Sequence, residues 1–251
     1  MTDNTQRFTD RVANYVRYRP DYPQALLTLL AKQVDGVNAP NILDLACGTG
    51  ILAEQLLNQG LPVLGVEPNS AMRQAANQLH HVYGDFNCID GTAETMPCAD
   101  ASQHLICIAQ AYHWFNAQVA VPELKRVLKP KGQVAIIWNK RDTQDPFLQA
   151  YDVILNQYGI DYAKVSHHSL TDQQIAQEFE DFDVTLFSFS HQQLLDWDGL
   201  IGRVCSSSYS PNPDHPNYLP MLAALKELYQ TYVQGDTVVF RYQTLCYLCS
   251  L

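Results

Sequence analysis

The sequence predicts an α/β protein built on a mostly parallel sheet, and three observations support this prediction. Short apolar strands alternate with helical segments from Asn41 to about Trp138, at a spacing that implies right-handed crossovers. A loop rich in glycine follows the first strand and opens a helix, as at the ligand crevice of many α/β sheets. Apolar residues make up 47% and charged residues 17% of the 251 positions, which is ordinary for a globular chain.

The predicted elements begin with an N-terminal cap over residues 1–40, in which Pro23 opens a helix through Leu30. Strands are predicted at Ile42–Ala46, Pro62–Val66, Phe86–Asp90, Gln103–Ala109 and Gln133–Trp138. The helices between them are predicted at Gly50–Gln59, Ser70–His80 and Ala117–Val127. Lys129-Pro-Lys-Gly132 predicts a turn before the fifth strand, because proline cannot continue a helix and glycine permits the reversal.

The pattern is less regular beyond Trp138. Helices are predicted at Phe147–Tyr158, Asp172–Phe179, Leu194–Arg203 and Leu219–Val233, with strands at Val184–Ser190 and Val238–Leu248. The final strand is needed to complete the sheet, so we expect a single domain over residues 1–251. Its parts are the cap (1–40), a core that binds the ligand (41–140), a region on the substrate side (141–235) and a final strand (236–251).

Composition also bears on partners and compartment. A net charge of −10 with no basic stripe argues against a nucleic acid or an anionic membrane as the main partner. The first residues lack the apolar core of a signal peptide, and no apolar run approaches the ~20 residues that span a bilayer. Seven scattered cysteines suit reduced thiols, so we expect a cytoplasmic protein.

Metal binding is not expected. Cys246 and Cys249 form a CxxC, but they fall in a predicted strand, where residues three apart point to opposite faces. We therefore interpret them as two half-buried strand cysteines. The adjacent histidines at 80–81 and 167–168 lack the spacing that places two metal ligands on one helix face.

The glycine loop after the first strand leaves two kinds of ligand open. Gly48-Thr-Gly-Ile-Leu-Ala53 fits the relaxed fingerprint of proteins that bind NAD. Glu67, at the end of the second strand, would accept hydrogen bonds from ribose hydroxyls in either case. Asp44 favours a cationic ligand, because a carboxylate beside a phosphate cradle would repel pyrophosphate.

Asp44-Leu-Ala-Cys-Gly-Thr-Gly50 resembles the first motif of the class I S-adenosylmethionine-dependent methyltransferases. The resemblance implies a Rossmann-like seven-stranded sheet of order 3-2-1-4-5-7-6, with the last strand antiparallel. It implies S-adenosylmethionine as the cofactor. The cofactor-binding residues it implies in the first two loops are Asp44, Ala46, Cys47, Gly48, Thr49, Gly50, Glu67, Pro68 and Met72.

Three further segments resemble the trans-aconitate methyltransferase-like subgroup: residues 8–23, Gly91–Pro97 and Gln110-Ala-Tyr-His-Trp-Phe115. The resemblance places Tyr18 and Arg19 near the methionine end of the cofactor, where Arg19 could pair with its carboxylate. It places Thr92, Ala93 and Glu94 at the adenine, and it implies that Gln110 and Ala111 also bind the cofactor, with Gln110 at the border of the transferable methyl group. His113 would border the transferable methyl group, either as a general base or as a packing and positioning residue.

The acceptor is predicted to be a small molecule, which the subgroup resemblance suggests could carry a carboxylate. Its contacts would come from Trp114, Trp138, Arg203, Ser208 and Tyr209, although a serine-rich turn at 206–210 could equally be only a turn. The predicted function is methyl transfer from S-adenosylmethionine to that acceptor by a monomer or a homodimer. A non-catalytic protein that binds S-adenosylmethionine and an NAD-dependent oxidoreductase remain the alternatives.

Overall fold

The computed structural model describes residues 12–162 and 171–251. Its longer helices are α1 (Val12–Tyr18), α2 (Gln24–Lys32), α3 (Ile51–Leu57), α4 (Ser70–Ala76), α5 (His80–Tyr83), α6 (Ala117–Val127), α7 (Pro146–Tyr158), α8 (Asp172–Glu178), α9 (Trp197–Cys205) and α10 (Tyr218–Tyr232). The strands are β1 (Ile42–Leu45), β2 (Val63–Val66), β3 (Asn87–Ile89), β4 (Gln103–Ala109), β5 (Leu128–Arg141), β6 (Asp183–Leu195) and β7 (Val238–Ser250). The predicted cap before Val12, including Phe8, lies outside the described residues, as do residues 163–170.

The seven strands form one sheet in the order β3-β2-β1-β4-β5-β7-β6, which confirms the predicted fold. The neighbours among β1 to β5 pair in parallel, and β7 runs antiparallel to both β5 and β6. The strand order reverses between β1 and β4, so the crevice at the carboxyl ends of these two strands is the expected ligand site.

The central strands of the sheet, such as β1 and β4, are buried on both faces, whereas the edge strand β6 is largely exposed. One core cluster contains Leu43, Ile106 and Cys249, and the other contains Ile42 and Cys246. Cys246 and Cys249 therefore point to opposite faces, as predicted, but both are fully buried rather than half-buried. Within the described residues, no helix is both long and apolar enough to cross a membrane.

The helix predicted at Leu194–Arg203 begins later than expected. Leu194 and Leu195 are the last residues of β6 and pair with Val239 and Val238 of β7. The helix α9 starts at Trp197, after Asp196 accepts a hydrogen bond from the backbone N–H of Gly199 at 2.7 Å. The partner strand and this N-cap set the boundary, and the apolar pattern alone could not reveal either of them.

The turn predicted at Lys129–Gly132 is a bulge within the long strand β5. Gln103 of β4 pairs with Leu128, whereas Leu105 pairs with Gln133, so the residues between them are extra to the ladder. Lys131 has φ +65°, a left-handed conformation that glycine adopts at less cost.

The cap is attached to both halves of the fold. The Tyr22 backbone N–H donates to the Gln55 side chain of α3 at 2.9 Å, and the Gln55 amide donates back to the Tyr22 carbonyl at 2.8 Å. On the other side, the Tyr18 ring lies so close to Gly202 of α9 that a Cβ there would overlap it. These contacts hold the cap over the carboxyl ends of the strands.

Candidate active site

A cavity of about 570 Å³ lies at the carboxyl ends of β1, β2, β4 and β5, beneath α1. Its size and position suit a ligand crevice in an open α/β sheet. The predicted site residues that line it are Arg19, Ala46, Gly48, Glu67, Pro68, Met72, Thr92, Ala93, Glu94, Gln110, Ala111, His113, Trp114, Trp138, Arg203, Ser208 and Tyr209. The fold thus brings together segments that are up to 190 residues apart in the chain, from Arg19 to Tyr209.

Five predicted cofactor residues do not line the cavity: Tyr18, Asp44, Cys47, Thr49 and Gly50. Tyr18 packs on Gly202, and Tyr15, one turn earlier on α1, lines the cavity instead. Gly50 precedes α3 with φ +86°, and a Cβ there would lie 2.8 Å from the Leu79 side chain, so its role is to permit the turn and the close helix packing.

Cys47 points away from the cavity toward β3. Its Sγ lies 3.2 Å from Sγ of Cys88, and this hydrogen bond together with burial raises the pKa of the Cys47 thiol well above its ordinary value. The small side chain of Cys47 and the backbone of Gly48 leave room for a ligand at the loop.

Glu67 links the loop after β2 to the loop after β1. Its Oε2 accepts the Gly48 N–H at 2.9 Å, and its Oε1 accepts the Asn69 N–H at 2.8 Å. Each carboxylate oxygen has a second lone pair, so Glu67 can still accept hydrogen bonds from a ligand. Burial raises the pKa of Glu67 above its ordinary value, although these two N–H groups and Arg73 oppose the rise.

Asp44 lies beneath the glycine loop and is 1% exposed. Among the described residues, neither of its carboxylate oxygens has a hydrogen-bond partner of normal geometry. Burial raises the pKa of Asp44 to about 7, the Ala53 N–H partly opposes the rise, and the charge of Glu67 adds to it. A buried acid with unmet acceptors next to the cavity fits a cationic ligand, which would stabilise its ionised form.

Two residues without glycine's freedom take left-handed backbone conformations at the cavity wall. Ala46 has φ +55° after β1, and Gln110 has φ +59° after β4, where its N–H donates to the Ile137 carbonyl at 2.9 Å. Backbone strain of this kind costs about 1–3 kcal/mol and clusters at ligand sites. Both residues therefore mark the crevice independently of the sequence motifs.

His113 stands on a short 3₁₀ turn after β4, between two tryptophans. Its ring centroid is 4.3 Å from that of Trp114 and 4.9 Å from that of Trp138, the latter edge to face. All three rings line the cavity. The arrangement provides a flat wall with one polar ring in it, at the place where the sequence predicts the transferable methyl group.

Two arginines of the predicted set lie on the cap side of the cavity. Arg19 donates to the Ser206 carbonyl at 2.9 Å and lies over the Tyr15 ring at 4.8 Å. Burial and the charge of Arg203 lower the pKa of Arg19. Arg203 is 6% exposed and donates to the Tyr242 hydroxyl at 3.1 Å and to Ser207 Oγ at 3.2 Å.

Tyr209 lies among these cations. Burial alone would raise the pKa of its phenol, but the guanidinium groups of Arg141, Arg203 and Arg19 outweigh burial. The pKa of Tyr209 therefore lies below its ordinary value. This part of the cavity is positive, in a chain whose net charge is −10.

The sequence prediction missed several lining residues: Tyr15, Asn69, Lys140, Arg141, Asp152 and Tyr162. Lys140 and Arg141 end β5, and the rule that parallel strands end at the ligand crevice could have identified them. The prediction ended this strand at Trp138, so it stopped just short of them.

The family model described as a methyltransferase domain matches residues 43–136. An uncharacterized methyltransferase of Mycobacterium tuberculosis (strain ATCC 25618 / H37Rv) is 33% identical over 157 residues, which are 62% of this chain and 62% of that protein. The matched part therefore spans less than two thirds of the length of this relative.

Two solved structures are similar in fold. The YcgJ protein of Bacillus subtilis has a TM-score of 0.60 at 19% identity, over 91% of this chain and 98% of that one. Geranyl diphosphate C-methyltransferase of Streptomyces coelicolor A3(2), solved with S-adenosyl-L-homocysteine, has a TM-score of 0.51 at 12% identity, over 90% and 75%. At such identities the likeness concerns the fold alone.

The resemblance to the trans-aconitate methyltransferase-like subgroup stays a prediction. Residues 43–136 thus match a methyltransferase domain, and the strand order and the position of the cavity make the chain similar in fold to the class I S-adenosylmethionine-dependent methyltransferases.

Proposed function

We propose that this chain transfers a methyl group from S-adenosylmethionine to a small acceptor that carries a carboxylate. The observation that supports this best is the separation of charge within one cavity. Acidic side chains (Asp44, Glu67 and Glu94) lie in or beneath the part formed by the loops after β1, β2 and β3. Basic side chains (Arg203 and Lys140 among them) line the opposite part.

The acidic part suits the cofactor. In this proposal Glu67 accepts hydrogen bonds from the ribose hydroxyls, and the backbone of Ala93 with Thr92 and Glu94 borders the adenine. Arg19 pairs with the methionine carboxylate, and its Nε is buried with no hydrogen-bond partner among the described residues. When bound, S-adenosylmethionine supplies an electrophilic methyl group on a sulfonium, a cation that Asp44 beneath the loop favours.

The basic part suits an anionic acceptor. Trp114, Trp138 and Tyr209 form walls that exclude water, and Arg203 offers a charge-assisted contact to a carboxylate. A carboxylate is already ionised at neutral pH, so it needs no general base when it is the nucleophile. His113 then orients the acceptor, because alignment of the two reacting groups is the main requirement of a displacement at a methyl group.

The test is a methyl-transfer assay with radiolabelled S-adenosylmethionine and matched pairs of acceptors. Each small carboxylic acid is paired with its primary amide, which has nearly the same shape without the charge. We expect labelled product from acids and little or none from amides. Equal transfer to both members of a pair would refute an anionic acceptor. Binding of S-adenosylhomocysteine with no transfer to any acceptor would favour the non-catalytic alternative.

A further inference from the structure

The cavity contains a cation that neither the sequence motifs nor the family resemblance assigns. Arg141, the last residue of β5, lines the wall beside Asp152 and Tyr162. Its Nη2 donates to Asp152 Oδ1 at 3.0 Å and also contacts the Tyr162 hydroxyl. The Tyr162 hydroxyl in turn donates to Asp152, which closes a three-membered network.

This network uses only one side of the guanidinium. The other terminal nitrogen, Nη1, is buried and has no hydrogen-bond partner within residues 12–162 and 171–251. A buried donor on a charged group is costly when it is unpaired, so such groups call for a specific explanation. The Asp152 ion pair does not account for this unpaired donor on a residue that lines a ligand cavity.

Two aromatic rings lie next to the guanidinium of Arg141. Its carbon lies 5.5 Å from the Tyr151 ring centroid and 5.6 Å from that of Tyr162. Cation–π contacts and the Asp152 ion pair together limit the rotation of the side chain. Arg141 is thus preorganised, and a preorganised donor loses little entropy when it binds an anion.

Charge also argues for an anionic ligand here. Asp152 balances Arg141, but Arg203 and Lys140 line the same part of the cavity, and no other acidic side chain lines that part among the described residues. This excess of positive charge also acts on the nearby phenol of Tyr209, because the surrounding arginines lower its pKa. A bound carboxylate would neutralise the excess more completely than a phenol.

We propose that Arg141 is a specificity-determining residue that binds a carboxylate of the acceptor through Nη1, and that Asp152 and Tyr162 are positioning residues that fix its orientation. This inference rests on the proposed function, because it assigns a residue to the acceptor of the same reaction.

The experiment uses the full chain saturated with S-adenosylhomocysteine and titrates it calorimetrically with acetate, glutarate and citrate, and with glutaramide as the uncharged match of glutarate. We expect at least one carboxylate to bind, and glutaramide not to bind. Arg141→Met should weaken carboxylate binding at least tenfold, and Arg141→Lys should restore only part of it. Arg17→Met, which removes an exposed charge on α1 outside the cavity, should change nothing.

The positioning residues have their own readout. Asp152→Asn and Tyr162→Phe keep the Arg141 charge but loosen its orientation, so we expect several-fold weaker carboxylate binding with unchanged binding of S-adenosylhomocysteine. Thermal unfolding of every variant identifies any that fail to fold. If Arg141→Met does not fold, the comparison of carboxylate binding is made between wild type and Arg141→Lys.

The outcomes separate the two proposals. Failure of the wild-type chain to bind S-adenosylhomocysteine would refute the proposed function itself. If that ligand binds, carboxylate affinities that are equal in wild type and Arg141→Met overturn the inference alone. Glutaramide binding as well as glutarate, or no carboxylate binding up to tens of millimolar, would overturn the inference together with the proposed carboxylate acceptor.

Discussion

The two ends of the cavity differ in both charge and construction. The cofactor end comes from short, contiguous loops that directly follow β1, β2, β3 and β4, and its ionisable side chains are mainly acidic. The opposite end is assembled from the cap, the end of β5, α7, α9 and the loop after α9, and its charges are mainly basic. In our proposal these two ends face a cationic methyl donor and an anionic acceptor.

The difference teaches how one acidic chain can hold ligands of opposite charge. Pairs of charges in a cavity with little water interact more strongly than the same pairs in bulk solvent. The local arrangement therefore matters more to binding than the net charge of −10. Two kinds of substitution test this arrangement: those that remove a charge at one end, and those that disturb the long-range contacts that build the other.

The largest expected effect concerns the buried acid of the cofactor end. Burial raises the pKa of Asp44 to about 7, above its ordinary value of 3.8, so the folded state binds more protons than the unfolded state between these two values. The chain should therefore lose stability as the pH rises through this window, by ~4 kcal/mol at most. Asp44→Asn lacks this penalty and should gain stability relative to wild type from about pH 5 to about pH 8. Urea unfolding of both proteins at pH 5 and pH 8 measures the free energy of unfolding. The prediction is contradicted if this free energy changes equally in wild type and Asp44→Asn between the two pH values.

Replacement of Glu67, the acid that follows β2, should abolish most binding of the cofactor. Glu67→Gln loses the negative charge that would accept the ribose hydroxyls, so we expect S-adenosylhomocysteine affinity to fall about 100-fold, or ~3 kcal/mol. Calorimetry measures the affinity. Glu54→Gln removes an exposed acid on α3 and serves as the matched control. A loss in both variants would mean that the effect comes from net charge alone.

The contact between Tyr18 of the cap and Gly202 of α9 leaves no room for an added methyl group, so a substitution there should lower the stability. Gly202→Ala places a Cβ into the Tyr18 ring, so α1 and α9 must separate, at a cost of about 2–3 kcal/mol. Gly60→Ala is the control, because nothing lies within 4 Å of its Cβ and only its positive φ of +76° is disfavoured, by about 1 kcal/mol. Chemical denaturation compares the two. Equal destabilisation would show that the Tyr18 ring simply moves aside.

The smallest expected effect concerns Arg203 at the basic end. Arg203→Met should raise the KM of a carboxylate acceptor about tenfold, or ~1.4 kcal/mol, while the affinity for S-adenosylhomocysteine stays within twofold. Steady-state kinetics with an acid that the acceptor screen identifies measures this. A fall in kcat with unchanged KM would instead assign Arg203 to the geometry of the reacting groups.

The different construction of the two ends of the cavity also explains which site residues the sequence could predict. Glu67, Met72, Thr92 and His113 line one cavity, because each follows a strand by a few residues and strand ends converge by rule; their roles stay predictions. Arg141, Asp152 and Tyr162 were missed, since their meeting depends on how β5 and α7 pack, which no local pattern encodes. Within the glycine loop, Cys47, Thr49 and Gly50 do not line the cavity, and their predicted contacts with the cofactor stay predictions.

The most direct test of the central claim is a crossed calorimetric titration. Wild type, Glu67→Gln and Arg203→Met are each titrated with S-adenosylhomocysteine, with glutarate and with NADH. Our account predicts that Glu67→Gln loses S-adenosylhomocysteine but keeps glutarate, that Arg203→Met does the reverse, and that NADH binds none of them. Loss of both ligands in one variant, or binding of NADH in place of S-adenosylhomocysteine, would contradict a cavity with two oppositely charged ends.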